Sequence, residues 1–191
     1  MIGIVFCGGK STRMGTDKGL IPTDGGNWAS LAFKKLSNLR IPVYVSINSD
    51  QKVDYLQFFE EKQLLLDNLS LPVGGPLLGL LSAHLKYPEQ NILVLACDLS
   101  LMETDLLQRL QLAEAETLDP TAIVYLNAGE AEPLCAVYKA KGLAQVMDKL
   151  KANQLTKQSM KHVLTLVKVH QLEIPEGKAG AFTNFNTQDM T

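Results

Sequence analysis

Short apolar runs alternate along the chain with longer stretches in which apolar residues recur every three or four positions. Ile2–Phe6, Val43–Ile47 and Ile92–Ala96 are apolar, β-branched-rich runs that stop at glycine, asparagine or aspartate, and Leu64–Leu66 stops at Asp67. Runs of this length read as strands, and near-continuous apolarity predicts burial on both faces. Between them, helical periodicity predicts a segment from about Trp28 to Leu39, with Leu31, Lys35 and Leu39 on one stripe. Further helices are predicted over Val53–Phe59, over Leu77–Lys86, and over a segment carrying Leu106, Leu107 and Leu110 with Thr104 as its N-cap. The second half adds strands near Ala122–Leu126, Pro133–Tyr138 and Val167–Ile174, and amphipathic helices near Gly142–Lys151 and Lys157–Leu166. Strands alternating with helices predict an α/β fold of three layers, with a mostly parallel central sheet covered on both faces.

Composition narrows the class. A chain of 191 residues with no repeat, linker or low-complexity segment is expected to be a single domain, 1–191. A formal net charge of -2 argues against a surface for nucleic acid, which needs many Lys/Arg–phosphate contacts, but allows one small anionic ligand held by local groups. Cys7, Cys97 and Cys135 form no C-x-x-C pair, which fits a reducing compartment better than a disulfide framework or a zinc site. The opening run is too short for a signal peptide, and no apolar stretch reaches the roughly 18 residues of a membrane span. A cytoplasmic protein is expected, without membrane contact.

The candidate chemistry lies at strand ends, where open α/β sheets bind ligands. Gly8-Gly9-Lys10-Ser11-Thr12-Arg13-Met14-Gly15-Thr16-Asp17-Lys18 follows the first strand. Glycines let backbone N–H groups approach phosphate oxygens, and Arg13 and Lys18 add local positive charge. Gly9-Lys10-Ser11 ends like a Walker A loop, but Ile4 stands where that motif needs glycine, and a G-x-G-x-x-G fingerprint is absent. Asp98 ends the 92–96 strand, where a carboxylate either caps a turn or holds a hard divalent cation with phosphate oxygens. Asn48 and Asp67 are turn residues or ligand contacts by the same reasoning. Asn184 and Asn186 alternate near the end and would face one way in an extended segment. A glycine loop, a basic pair and an acidic metal holder together suggest a nucleoside triphosphate site. Catalysis there would be positioning and charge neutralisation without a protein nucleophile. Cys97 reads as a small residue ending a strand, and His84, His162 and His170 read as surface or packing residues.

The segment Gly8–Leu20 closely resembles the signature of nucleotidyltransferases with a Rossmann-like fold, nearest to the molybdenum cofactor guanylyltransferases. Ser46-Ile47-Asn48, Asp67 followed by Gly75-Pro76-Leu77-Leu78-Gly79-Leu80, Ala96-Cys97-Asp98, Glu132–Tyr138 and Asn184-Phe185-Asn186-Thr187 extend the likeness over nearly the whole chain. The resemblance implies transfer of GMP from GTP to molybdopterin with Mg2+, releasing pyrophosphate. It implies a nucleotide-binding half over about 1–100 and an acceptor half over about 101–191. Phe6, Cys7, Gly8 and Gly9 would line the nucleotide. Lys18 and Arg13 would meet phosphates, Asn48 and Asp67 the nucleoside, and Asp98 both magnesium and GTP. Asn184 and Asn186 would place the pterin, which a delivery protein for the molybdenum cofactor would supply. The alternatives are transfer from CTP or another triphosphate to a pterin or sugar phosphate, or a nucleotide-binding homologue without catalysis. Phe6-Cys7 stands where Leu-Ala is usual, and Ser100 where proline commonly follows Cys-Asp, so a looser turn is expected there.

Overall fold

The computed structural model describes residues 1–7 and 17–184, and the statements below concern those residues. The element order is β1 (Ile2–Phe6), a small hairpin of β2 (Pro22–Thr23) and β3 (Gly26–Asn27), α1 (Trp28–Ser37), β4 (Val43–Ile47), α2 (Lys52–Tyr55), β5 (Leu64–Leu66) and α3 (Gly75–Lys86). There follow β6 (Ile92–Ala96), α4 (Thr104–Glu116), β7 (Ala122–Asn127), β8 (Glu130–Tyr138), α5 (Ala140–Lys151), α6 (Met160–Thr165) and β9 (Val169–Glu173). A seven-stranded sheet runs in the order β5-β4-β1-β6-β8-β7-β9. All neighbours pair in parallel except across β8, which is antiparallel to both β6 and β7.

The side-chain alternation of each strand divides the core in two. Ile4 and Phe6 of β1 pack with Val94, Leu65 and the helices α3, α5 and α6, whereas Val5 and Cys7 pack with Leu95, Val45 and the helices α1 and α4. Both faces of the central strands are therefore covered, which is why their sequences are apolar without interruption. The expected three-layer arrangement with its mostly parallel sheet is the one observed.

Some local expectations are corrected. The predicted helix over Val53–Phe59 is a 3-10 turn at Ser49–Gln51 followed by only Lys52–Tyr55. Phe59 is buried but Phe58 is exposed, because this short element lays one face on the sheet and leaves its end in solvent. Thr104 is the first helical residue of α4; Glu103 holds the cap position and makes no side-chain cap. On α1 the buried positions are Trp28, Ala29, Ala32 and Leu36, so Lys35 lies beside the core rather than on its stripe.

One glycine shows how closely the layers approach. A Cβ on Gly142 would lie 2.8 Å from both the Thr121 carbonyl oxygen and its Cβ, because the first turn of α5 crosses the start of β7. Backbone cannot move aside as a side chain can. Gly142→Ala is expected to destabilise the fold by about 1–3 kcal/mol, read as a lower melting temperature. Gly25→Ala, whose Cβ would meet nothing within 4 Å, serves as the control.

Candidate active site

From β1 the chain steps outward to β4 and β5, then returns past β1 to β6 on the other side. This reversal opens a crevice outside the carboxyl ends of β1 and β6, the usual ligand position in open α/β sheets. The residues that leave those two ends are Cys7 and Cys97-Asp98, in register with each other beyond the Phe6–Ala96 pair. Asp98 comes together here with Lys18, whose Nζ lies 3.5 Å from Asp98 Oδ2. Both side chains are partly exposed, at 31% for Lys18 and 23% for Asp98, so the pair borders solvent and is accessible to a ligand.

Lys18 opens a 3-10 turn, Lys18–Leu20, that Asp17 caps by accepting the Gly19 N–H at 2.8 Å. The same carboxylate accepts the Tyr55 hydroxyl at 3.0 Å and the Gln51 side-chain amide at 2.5 Å. Burial raises the Tyr55 phenol above its ordinary range, so it remains a donor. Cys7 is buried beside Cys97, and burial followed by that neighbour pushes its thiol well above the usual value. Both thiols are free and neither has the character of a nucleophile.

Asn48 ends β4 and caps the turn Ser49–Gln51. Its side-chain oxygen accepts the Asp50 and Gln51 N–H groups, while the Gln51 side chain accepts the Asn48 N–H, a complete capping box. The turn reading of Asn48 is thus realised, with its carbonyl oxygen engaged locally.

A different environment surrounds Asp67. It ends β5 on the face covered by α3, near the buried Ser46. Its Oδ1 is buried with no hydrogen-bond partner among the described residues, and desolvation raises its pKa to about 6 against a smaller opposing effect of the Ser46 hydroxyl. Helix α3 comes this close because of Gly79: a Cβ there would lie 2.4 Å from Ser46 Oγ and 3.2 Å from the Phe6 ring. Phe6, Ser46, Asp67 and Gly79 thus share one flank of the crevice.

The turn after Asp98 is braced rather than loose. Lys35 of α1 donates to the Ser100 carbonyl oxygen at 2.5 Å, and burial lowers its pKa against the opposing charge of Glu103. Lys178 pairs with Glu103, which ties the segment after β9 to the start of α4. That segment is anchored by Phe182, edge-on to Tyr125, and leads to the exposed Asn184 at the same end of the sheet as Asp98. Gly8, Gly9, Arg13 and Asn186 lie outside the described residues.

Among the described residues no cluster of three His, Cys, Asp or Glu side chains is present to hold a metal alone. Asp98 nevertheless suits magnesium, which binds through one or two carboxylates and leaves its remaining positions to waters and substrate phosphates. A single accessible carboxylate at the mouth of a crevice is that donor set.

Reading the sequence missed Ser46, Gln51, Tyr55, Asp17 as a bracing group, and Lys35. Two signals were present. A serine interrupts the otherwise apolar β4, and Asn48 and Gln51 stand at capping-box spacing.

Residues 3–170 match the family model described as the MobA-like NTP transferase domain. The chain is 30% identical over 195 residues to the molybdenum cofactor guanylyltransferase of Cupriavidus metallidurans, covering 98% of this chain and 90% of that one. It is 28% identical over 185 residues to a probable molybdenum cofactor guanylyltransferase of Flavobacterium johnsoniae, covering 97% and 91%. In fold it is similar to the crystal structure of molybdopterin-guanine dinucleotide biosynthesis protein A from Archaeoglobus fulgidus. That match has a TM-score of 0.75 at 18% identity, covering 99% of this chain and 94% of that one.

Proposed function

Because this chain belongs to the family of MobA-like NTP transferase domains, we propose that its crevice transfers GMP from GTP to molybdopterin and releases pyrophosphate. The observation that carries the reading is the Lys18–Asp98 pair at the switch point between β1 and β6. An oxygen of the molybdopterin phosphate attacks the α-phosphorus of GTP in line. The bond from that phosphorus to the oxygen bridging to the β-phosphorus breaks, and its electron pair leaves with pyrophosphate. No protein nucleophile is needed, in keeping with the two thiols at the strand ends, Cys7 and Cys97, being buried.

Each residue then has a distinct task. Lys18 offsets the charge of the departing phosphates, and Arg13 is proposed as a second phosphate contact. Asp98 holds Mg2+, which when bound neutralises phosphate charge and orients the oxygens. Phe6 and Cys7, with backbone N–H groups at Gly8 and Gly9, border the nucleotide. Asn48 keeps the second strand end in shape while facing the nucleoside. Asp67 offers an unpartnered acceptor, and guanine presents two adjacent donors, its N1–H and 2-amino group, where cytosine has an acceptor. Asn184 and Asn186 are proposed for the pterin, delivered by a transient partner in the cytoplasm. No helix among the described residues is long and apolar enough to cross a membrane.

The test is pyrophosphate release by the purified protein with Mg2+ and molybdopterin, using GTP, CTP, ATP and UTP in turn. Release from GTP at least tenfold above the others is expected. Equal or greater release with CTP would overturn the guanine assignment, and no release with any triphosphate would overturn catalysis.

A further inference from the structure

We propose that Gln51 is a positioning residue that sets where Lys18 stands relative to Asp98. The inference rests on the nucleotidyl-transfer reading of the site but concerns a residue that touches no reacting atom. Gln51 reaches three separate pieces of the chain with one carboxamide. Its Oε1 accepts the Asn48 N–H at 2.9 Å, at the end of β4. Its Nε2 donates to the Cys7 carbonyl oxygen at 3.1 Å, at the end of β1. The same nitrogen donates to Asp17 Oδ2 at 2.5 Å, one residue before Lys18.

The orientation of that amide is determined by its surroundings. Turned over, the oxygen would face a carbonyl and a carboxylate, and the amino group would face an N–H. Asp17 passes the constraint on: its other oxygen accepts the Gly19 N–H and the Tyr55 hydroxyl, so the turn Lys18–Leu20 is fixed from both sides. Gly19 has no alternative here, because a Cβ would lie 2.1 Å from the Tyr55 hydroxyl. Lys18 is a long, flexible side chain, and its root is what this assembly holds. A misplacement of an ångström in a group that must meet developing charge is costly in rate.

The distinguishing variant is Gln51→Glu. It keeps the size of the side chain but turns the nitrogen position into an oxygen aimed at the Asp17 carboxylate and the Cys7 carbonyl. Two such acceptors repel unless a proton lies between them. Among the described residues, the charged or titratable groups around that position are Asp17, Lys18 and Asp98 at the crevice, Tyr55 on α2, the thiols Cys7 and Cys97, and Asp50 and Lys52 beside Gln51 in the chain.

Wild type, Gln51→Ala, Gln51→Glu and Tyr55→Phe are compared for pyrophosphate release across pH 5.5–8.5, with amide exchange at Gly19 followed by mass spectrometry. Gln51→Ala is expected to lower kcat three- to tenfold with a smaller change in the KM for GTP. Tyr55→Phe is expected to act in the same direction by two- to fivefold. Gln51→Glu should be worse than Gln51→Ala at pH 8.5 and recover relative to wild type as pH falls, because the introduced carboxyl then donates to Asp17. A Gln51→Glu profile parallel to wild type, or unchanged kcat/KM in Gln51→Ala, would overturn the assignment. If the Gln51 variants do not fold, Tyr55→Phe decides by the same criterion. Wild-type protein that releases no pyrophosphate refutes the transfer reading instead; faster Gly19 exchange in Gln51→Ala then still supports the brace, and unchanged exchange overturns it.

Discussion

Asp98→Asn is expected to lose about 10²–10³ in turnover while the protein keeps its fold, and Lys18→Ala is expected to do the same. The size follows from where charge develops. As the bond to the β-phosphate breaks, negative charge accumulates on the leaving pyrophosphate, and a group placed in advance costs nothing to reorganise at that moment. Asparagine keeps the shape of Asp98 but removes the charge proposed to hold a divalent cation, so the Mg2+ concentration needed for half-maximal rate should rise as kcat falls. Lys18→Ala should leave that magnesium dependence nearer to wild type. The fold should survive both changes, because the pair is partly exposed and such ion pairs contribute about 0–1 kcal/mol. Steady-state kinetics against magnesium, with circular dichroism as the folding control, distinguish the two roles. Normal turnover in Asp98→Asn would remove the metal from this residue.

Asp67→Asn is expected to weaken GTP binding by about 10- to 100-fold, the scale of a hydrogen bond to a charged group, and at the same time to raise the melting temperature. The second effect follows from linkage. The folded-state pKa of Asp67 is raised to about 6 by burial, above its unfolded value. The folded protein therefore binds the proton more tightly, and stability declines as pH rises from about 4 to 6, then stays level. Asparagine carries no such cost, so its advantage should be complete above pH 6 and vanish below about pH 4. Each kcal/mol corresponds to about 2–4 °C in a chain of this size. Wild-type affinity for GTP should decline in parallel as pH falls through 6, when the carboxylate takes up a proton and loses an acceptor. Calorimetric titration of GTP and thermal scans at pH 5, 6 and 7.5 test both statements. An unstable Asp67→Asn that binds GTP normally would make Asp67 a structural residue. A buried acceptor kept without a partner at the expense of stability is what a binding group requires.

The strands at Ile2–Phe6, Val43–Ile47, Leu64–Leu66 and Ile92–Ala96 were legible to the residue. Each is a mainly apolar run cut off by a turn-forming residue, and the two central strands, Ile2–Phe6 and Ile92–Ala96, are buried on both faces. The short hairpin Pro22–Asn27 was not legible, since two-residue strands carry no period. Helix α2 was overread because Val53, Leu56 and Phe59 keep helical spacing while the chain itself turns after Tyr55. Strand order was beyond reach of local pattern: nothing in Glu130–Tyr138 says that it runs against its neighbours. Of the site, Asp98 and Asp67 were legible as carboxylates at strand ends, and Lys18 as a cation in a polar loop. That Lys18 and Asp98 meet across 80 positions is a consequence of topology. Gln51 and Tyr55 were invisible because a polar, helix-like stretch reads as a solvated face until the contact across the crevice is known.

The reversed direction of β8 fixes a distance. Strands β6 and β7 both point their carboxyl ends toward the crevice, but β8 lies between them. Neighbouring strands stand about 4.8 Å apart, so the two ends are separated by about 10 Å. The start of β8 continues past the end of β6, paired there only with β7, and Glu132 accepts the Asn127 side-chain amide at 2.9 Å. One antiparallel strand thus acts as a spacer, holding the carboxyl ends of β6 and β7 apart at the crevice.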